Sequence, residues 1–477
     1  MKKLKLGFAP TRRFVFSKED AFKYKNLIRE KISGYDEIEI IDLEDINDEG
    51  LLFDNDFETK KIIKKFREAE VDAVFFPHTN FGTEDTVSRV AKALRKPVLL
   101  WGPRDEDPLE DGMRLRDTQC GLFATGKVLR RFNVPYTYII NSRVDSEVFD
   151  RGFKNFIAVA NVIKEFNSLR ILQIAPRPAG FWTMICNEGE LLEKFGIETY
   201  PITIQEFKDR IIKEEATDSE QLLKTIELIK EKIDCSATTE KSLRRVAAVK
   251  VAMRNLADEH MCSAIAIQCW NSLQDATEVM PCLANALLTD EGLPVVCETD
   301  IHGAITSVMA KAATFNKQVP FFADLTVRHS ENENSELLFH CGNFPLSLAK
   351  CEDGCKPKFN NHFLFDSHAP GTLEGEIVGG DMTIVRFDGD HGDYQLFLGK
   401  AKGVEGKFTR GSYVWVEVED WPKWEEKLVT GPYVHHCVGI HADIVPVLYE
   451  ACKYINGLKP DFADDNEEEI KAWLRGN

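Results

Sequence analysis

Short apolar runs alternate with amphipathic stretches through the first third of the chain. Residues 3–10 (KLKLGFAP), 38–43 (IEIIDL), 73–77 (AVFFP) and 97–101 (PVLLW) read as buried strands, and helix-like stretches begin between them near Ser17, Glu58 and Glu84. A crossover helix returns the chain to start a parallel neighbour, so this alternation predicts a doubly wound parallel sheet. The segment DTQCGLFATGKVLRRF continues as a helix, YTYIINS follows it, and a long helix over 147–166 leads onward.

A second alternation begins at 169–175 (LRILQIA) and 198–202 (ETYPI). A charged helical block free of Pro and Gly then runs from 204 to 259. Residues 264–268, 294–298 and 320–324 read as further strands of a second parallel sheet. After about residue 345 the period changes to two, with Asp-Gly and Gly-rich turn signals in GTLEGEIVGGDMTIVRFDGDHGDYQLFLGKAKGVEG and SYVWVEVED. The fold expected is α/β: two doubly wound parallel-sheet domains (1–167 and 168–345) and a β-rich, barrel-like C-terminal domain (346–477) with a closing helix near 445–456.

The totals fit this division: at about 150 residues per domain, 477 residues make roughly three domains. The net charge of −18, from 78 acidic and 60 basic side chains, opposes binding to phosphate backbones or anionic membranes. No apolar stretch approaches the about 18 residues of a membrane span, and MKKLKLGFAPTRR contains no long apolar leader core. A cytoplasmic protein with neither nucleic-acid nor membrane partners is expected, its twelve cysteines reduced and largely buried. The chain has no G-x-G-x-x-G after a strand, no P-loop and no G-x-S-x-G elbow; the missing nucleotide fingerprint lowers dehydrogenases and kinases.

Chemistry concentrates in three pieces. Glu298 (PVVCETD) and Asp324 (PFFADLT) each end an apolar run, separated by the helix-like IHGAITSVMAKAATFNKQ. Read as strand–helix–strand, this places both carboxylates at one sheet edge, where open α/β sheets bind ligands. Burial beside apolar walls costs several kcal/mol per charge unless a cation compensates. A histidine from GPYVHHCVG could complete the site. In a strand only one of His435 and His436 faces the cleft. Oxygen donors with one imidazole suit Mn2+, with Mg2+ or Co2+ as substitutes. His340 (SELLFHCGN) is a candidate fourth ligand, and His302, four residues after Glu298, a partner behind the ligands or toward substrate. Arg12 and Arg13 follow the first strand and Arg177 (IAPRPAGF) the first strand of the second domain, positions suited to clamping an anion or hydroxyl. Gln268, Trp270 and Asn271 (AIAIQCWNSLQ) could line a polyol pocket. For each arginine a structural ion pair is the competing reading, and for Trp270 plain packing.

At these residues the chain resembles the L-fucose isomerase and L-arabinose isomerase superfamily. RPAGFWTMICNEGELLEKFGIE, AIQCWNSLQ, CETDIHGAITSVMAKA, PFFADLT and YVHHCVGIHAD carry the resemblance, and the chain is shorter than typical fucose isomerases. It implies Mn2+ held by Glu298, Asp324 and His436, with a fourth ligand at His340 only in the arabinose-isomerase manner. It implies conversion of an open-chain aldose to its ketose through a cis-enediol(ate), with Glu298 and Asp324 moving the proton. The substrate expected is a fucose- or arabinose-type monosaccharide, or sulfoquinovose, whose sulfonate the Arg12/Arg13 pair would suit. The family also implies a homo-oligomer with sites near subunit contacts, where Arg12, Arg13 or Trp101 could serve a neighbour. A sugar-binding regulatory protein and a metal-dependent aldolase or epimerase are the alternatives.

Overall fold

The all-apolar strand Ala73–Pro77 (β3) forms the middle of a five-stranded parallel sheet with Leu4–Phe8 (β1), Ile38–Ile41 (β2), Val98–Trp101 (β4) and Thr137–Tyr138 (β5), in the order β2-β1-β3-β4-β5. Both of its faces are covered, which is why β3 is buried at every residue. The computed structural model describes residues 3–53, 56–270, 272–351, 354–364, 368–464 and 467–476. Helices Lys18–Ser33, Asp56–Glu68, Glu84–Leu94 and Thr118–Arg131 make the crossovers. Ser17 caps the first of them, its side chain accepting from the Asp20 backbone N–H.

The chain divides into two units, 1–164 with 446–455 and 466–477, and 165–445 with 456–465. Helix Val445–Cys452 is tied to the first sheet: Thr137 Oγ1 donates to Glu450 Oε2 (2.9 Å) and Tyr454 OH to the Val98 carbonyl (3.0 Å).

In the second unit Arg170–Ile174 (β6), Glu198–Ile202 (β7), Ala264–Ile267 (β8) and Val295–Val296 (β9) form a parallel sheet ordered β7-β6-β8-β9. The charged block between β7 and β8 is three helices, Ile204–Ala216, Glu220–Lys232 and Glu240–Glu259. Thr203, Ser219 and Thr239 cap their starts, so side-chain caps divide the block where Pro and Gly do not.

The segment at 320–324 departs from expectation. It does not join the parallel sheet; it opens Phe321–Arg328 (β10), which forms a hairpin with Ser335–His340 (β11). The remaining strands are Lys358–Asn361 (β12), Pro370–Glu376 (β13), Asp381–Asp390 (β14), Asp393–Val404 (β15), Ser412–Glu417 (β16), His436–Ile440 (β17) and Leu458–Phe462 (β18). β16-β11-β10-β17-β14-β15 are antiparallel neighbours, and pairing of β15 with β16 closes them into a six-stranded barrel. A five-residue apolar run specifies burial on both faces but not the partner strand, and the hairpin with β11 decides it. The barrel interior holds Phe321, Ala323, Leu338, Ile384, Phe397, Val414 and Cys437. Gly439 makes room for Phe321: a Cβ there would stand 2.1 Å from the ring.

The expected class, two parallel sheets with helices followed by a β-barrel, is the fold observed. No helix among the described residues is long and apolar enough to cross a membrane.

Candidate metal centre

Glu298 leaves β9 at the C-terminal edge of the central sheet, in a turn where it and Thr299 both take left-handed backbone conformations (φ 55° and 57°). Two such residues in succession, one of them β-branched, store strain of about 1–3 kcal/mol each. The turn ends at Asp300, whose Oδ1 accepts from the Gly303 N–H (2.9 Å) and caps helix Ile301–Ala313. Gly303 lets the helix close down on this cap and on Phe322; a Cβ would meet Asp300 Oδ2 and the Phe322 ring at 2.7 Å each.

Asp324 on β10 and His436 on β17 are direct cross-strand partners, so their side chains share a face of the barrel wall. That face meets the Glu298 turn. His436 Nε2 lies 3.3 Å from Asp324 Oδ1 and 3.5 Å from Glu298 Oε2, and His340 Nε2 lies 3.6 Å from Glu298 Oε2. Glu298 is anchored through its other oxygen, Oε1, which accepts from Trp270 Nε1–H (3.0 Å) and the Cys269 thiol (3.2 Å). Glu298 Oε2, Asp324 Oδ1 and His340 Nε2 are buried with no hydrogen-bond partner. Buried polar atoms are otherwise nearly always satisfied, so the orphaned oxygens on either side of His436 Nε2, with His340 Nε2 beside Glu298, mark a place for a ligand. Two carboxylate oxygens and an imidazole nitrogen are donors for a hard or borderline divalent cation, and the residues present fit one.

The electrostatics agree. Burial acts to raise the Glu298 carboxyl, but His340 and His436 beside it outweigh burial and hold it down to about 2. Burial acts to lower His340, and the Asp324 and Glu298 carboxylates raise it well above the ordinary histidine value.

Behind His436 stands a row of buried charges. His436 Nδ1 donates to Asp300 Oδ2 (2.9 Å), Arg386 bridges Asp300 and Asp388, and His302 Nδ1 donates to Asp388 Oδ1 (2.8 Å). Burial opposes ionisation of Asp300, but Arg386 and His436 push its carboxyl far below the usual range. Asp300, Arg386 and Asp388 escaped the sequence reading. Asp300 had a signal, a helix-capping Asp directly ahead of IHG, whereas Arg386 and Asp388 read as ordinary barrel and turn residues in RFDGD.

The other candidates are placed as follows. His435, just ahead of β17, is 43% exposed yet reaches within 4.0 Å of Asp324 Oδ1, so both histidines of the pair approach that carboxylate, against the expectation that only one does. Strand alternation binds only within the strand, and His435 precedes it. Gln268 follows β8 and its Oε1 accepts from the Ser272 hydroxyl. Trp270 packs edge-on against Phe181 (4.8 Å), joining the 175–181 loop to Glu298. Asn271 lies outside the described residues. Arg177, on that loop, hydrogen-bonds the carbonyls of Pro178 and Ala179 (3.3 Å each). Arg12 and Arg13 belong to the first unit, where Arg12 pairs with Glu49 (2.7 Å) and Arg13 with Glu84. All twelve cysteines are free thiols, and Cys269, Cys297, Cys341 and Cys437 are among those buried.

Comparison with known proteins points one way. The fucose/sulfoquinovose isomerase N-terminal domain model matches residues 7–167, and the L-fucose isomerase C-terminal domain model matches 338–458. A sulfoquinovose isomerase of Alkalicoccus urumqiensis is 25% identical over 391 residues, 81% of this chain and 85% of that protein. One from Priestia aryabhattai is 24% identical over 393 residues, 81% of this chain and 84% of its own.

Proposed function

This chain belongs to the L-fucose isomerase-like family and is an aldose–ketose isomerase, and from that premise we propose that it acts on sulfoquinovose with the help of Mn2+. The observation that carries the cation is the pair of unpartnered buried carboxylate oxygens flanking His436 Nε2. Glu298, Asp324 and His436 would hold it, with Mg2+ or Co2+ able to substitute. When bound, the cation supplies Lewis-acid polarisation of the substrate carbonyl and compensates charge on oxygen.

The chain's own groups move the proton. Glu298 Oε2 or Asp324 Oδ1 takes the C2 proton of the open-chain aldose, giving a cis-enediolate. A proton returned to C1, with the O2 proton passing to O1, gives the ketose. Glu298 is steadied for this by Trp270 and Cys269 on its second oxygen. Asp324, its side chain 21% exposed, stands on the open side of the pair.

The sulfonate of the substrate needs a cation of its own. Among the described residues Arg177 is hydrogen-bonded only to backbone carbonyls, whereas Arg12 and Arg13 each face a carboxylate. Arg177 is therefore the residue we assign to the sulfonate. A cytoplasmic homo-oligomer completes the reading; Phe14 and Phe123, 78% and 67% exposed, are apolar surface that assembly would cover.

The test is turnover of sulfoquinovose, L-fucose and the arabinoses by purified protein with Mn2+ in D2O, followed by NMR. A sulfo-ketose deuterated at C1 is expected, abolished by exhaustive chelation. Turnover of fucose but not sulfoquinovose would sink the substrate assignment, and activity surviving chelation the cation.

A further inference from the structure

The two histidines nearest Glu298 are held through the same ring nitrogen but with opposite polarity. His436 Nδ1 meets Asp300 Oδ2 at 2.9 Å. A carboxylate only accepts, so the proton sits on Nδ1 and Nε2 turns a bare lone pair toward Glu298 and Asp324. His340 Nδ1 instead meets the backbone N–H of Cys341 at 2.9 Å. A backbone N–H only donates, so here Nδ1 presents the lone pair and the neutral ring carries its proton on Nε2. That Nε2 is buried, lacks a hydrogen-bond partner and lies 3.6 Å from Glu298 Oε2.

A ligating imidazole binds through its bare nitrogen and gives away the proton on the other, usually to a carboxylate or carbonyl. His436 meets this condition, with Asp300 as the recipient. His340 reverses it. Its arrangement is built into the strand end, since donor and acceptor are neighbours along the backbone, and the ring packs against Phe322 (5.5 Å between centroids).

Resting on the isomerase reading above, we propose that His340 is not the fourth cation ligand that the resemblance implies but a catalytic hydrogen-bond donor. Its Nε2–H is given to the substrate oxygen that gains negative charge as the enediolate forms. The proton stays on His340; the bond shortens and strengthens as charge accumulates, which is how a preorganised donor lowers a barrier. Glu298 Oε2, beside it, takes or returns the carbon-bound proton, so donor and base meet the substrate side by side.

The test is Mn2+ binding by calorimetry, beside steady-state kinetics, for wild type, His340→Gln, His340→Leu and His436→Gln. Both His340 variants are expected to bind Mn2+ within about threefold of wild type, and His436→Gln more than about 100-fold more weakly. His340→Leu should lose about 10²–10³ in kcat. His340→Gln, whose amide N–H can still donate, should keep more of it. Loss of Mn2+ affinity in the His340 variants equal to that in His436→Gln would overturn the donor role while leaving the cation in place. Absence of Mn2+ binding by wild type would overturn both. Should the variants misfold, the unsubstituted protein decides: 15N spectra of labelled histidine should show His340 protonated on Nε2 and bare on Nδ1 with Mg2+ bound. A proton found on Nδ1 would refute the assignment.

Discussion

Asp300 serves three groups with two oxygens: the Gly303 N–H at the helix start, the Arg386 guanidinium and the Nδ1 proton of His436. Asparagine caps helices about as well as aspartate, so Asp300→Asn separates these roles. Its amide cannot balance buried Arg386 or hold His436 to the same tautomer. Mn2+ affinity should fall about 10–100-fold by calorimetry, and stability by about 3 kcal/mol or more in urea. Substrate choice should rest on a different residue: Arg177→Leu should cut kcat/KM for sulfoquinovose at least about tenfold, the value of one charge-assisted hydrogen bond. Turnover of L-fucose should change little, and equal losses on both sugars would remove Arg177 from sulfonate recognition. At this scale Glu298, Asp324 and the His435–His436 pair were legible in the sequence, because charged side chains directly after apolar runs stand out. Asp300 was hidden within a motif whose glutamate drew attention. Arg386 was hidden because a buried arginine in an alternating strand looks like a solvent-facing one until its two aspartates are seen.

Among the elements, β10 carries the largest correction. Its first half reads as a buried parallel strand, while its second half, Leu325–Arg328, already shows the exposure of a hairpin leg. Sequence periodicity reports burial, whereas partner choice is set by β11 and β17, which lie beyond any local window. β11 has a cost of its own. Glu336 is buried with Oε2 unpartnered, and burial, only partly offset by Arg328, raises its carboxyl from 4.5 to about 7. A carboxyl raised on folding destabilises the folded state when ionised. The penalty is absent below the unfolded value, grows between about pH 4.5 and 7, and is complete above. Glu336→Gln should therefore gain thermal stability relative to wild type as pH rises from 4.5 to 8, and a Tm difference independent of pH would contradict this.

In the second unit the proposed centre draws on two layers. Glu298 comes from the parallel sheet, Asp324 and His436 from the barrel, and helix Ile301–Ala313 runs between. The sequence foretold both architectures but assigned the two carboxylates to one sheet, since nothing local distinguishes a crossover that returns to its own sheet from one that enters another. Because a cation here would bind the folded state and not the unfolded chain, Mn2+ at 100 times its Kd should add about 2.7 kcal/mol of stability. Thermal scans should show Tm rising with the logarithm of Mn2+ concentration and returning to baseline with chelator. A Tm indifferent to Mn2+ would argue against a bound ion.

The left-handed turn at Glu298 and Thr299 adds a consequence of its own. Like a spring latch, it is wound before the catch engages, so an emptied centre should relax there first. Amide hydrogen exchange should quicken at 297–300 on chelation while β14 and β15, sealed in a closed ring of strands, keep their protection. The protein would thus report the loss of its ion as a local slackening, well before any general unfolding.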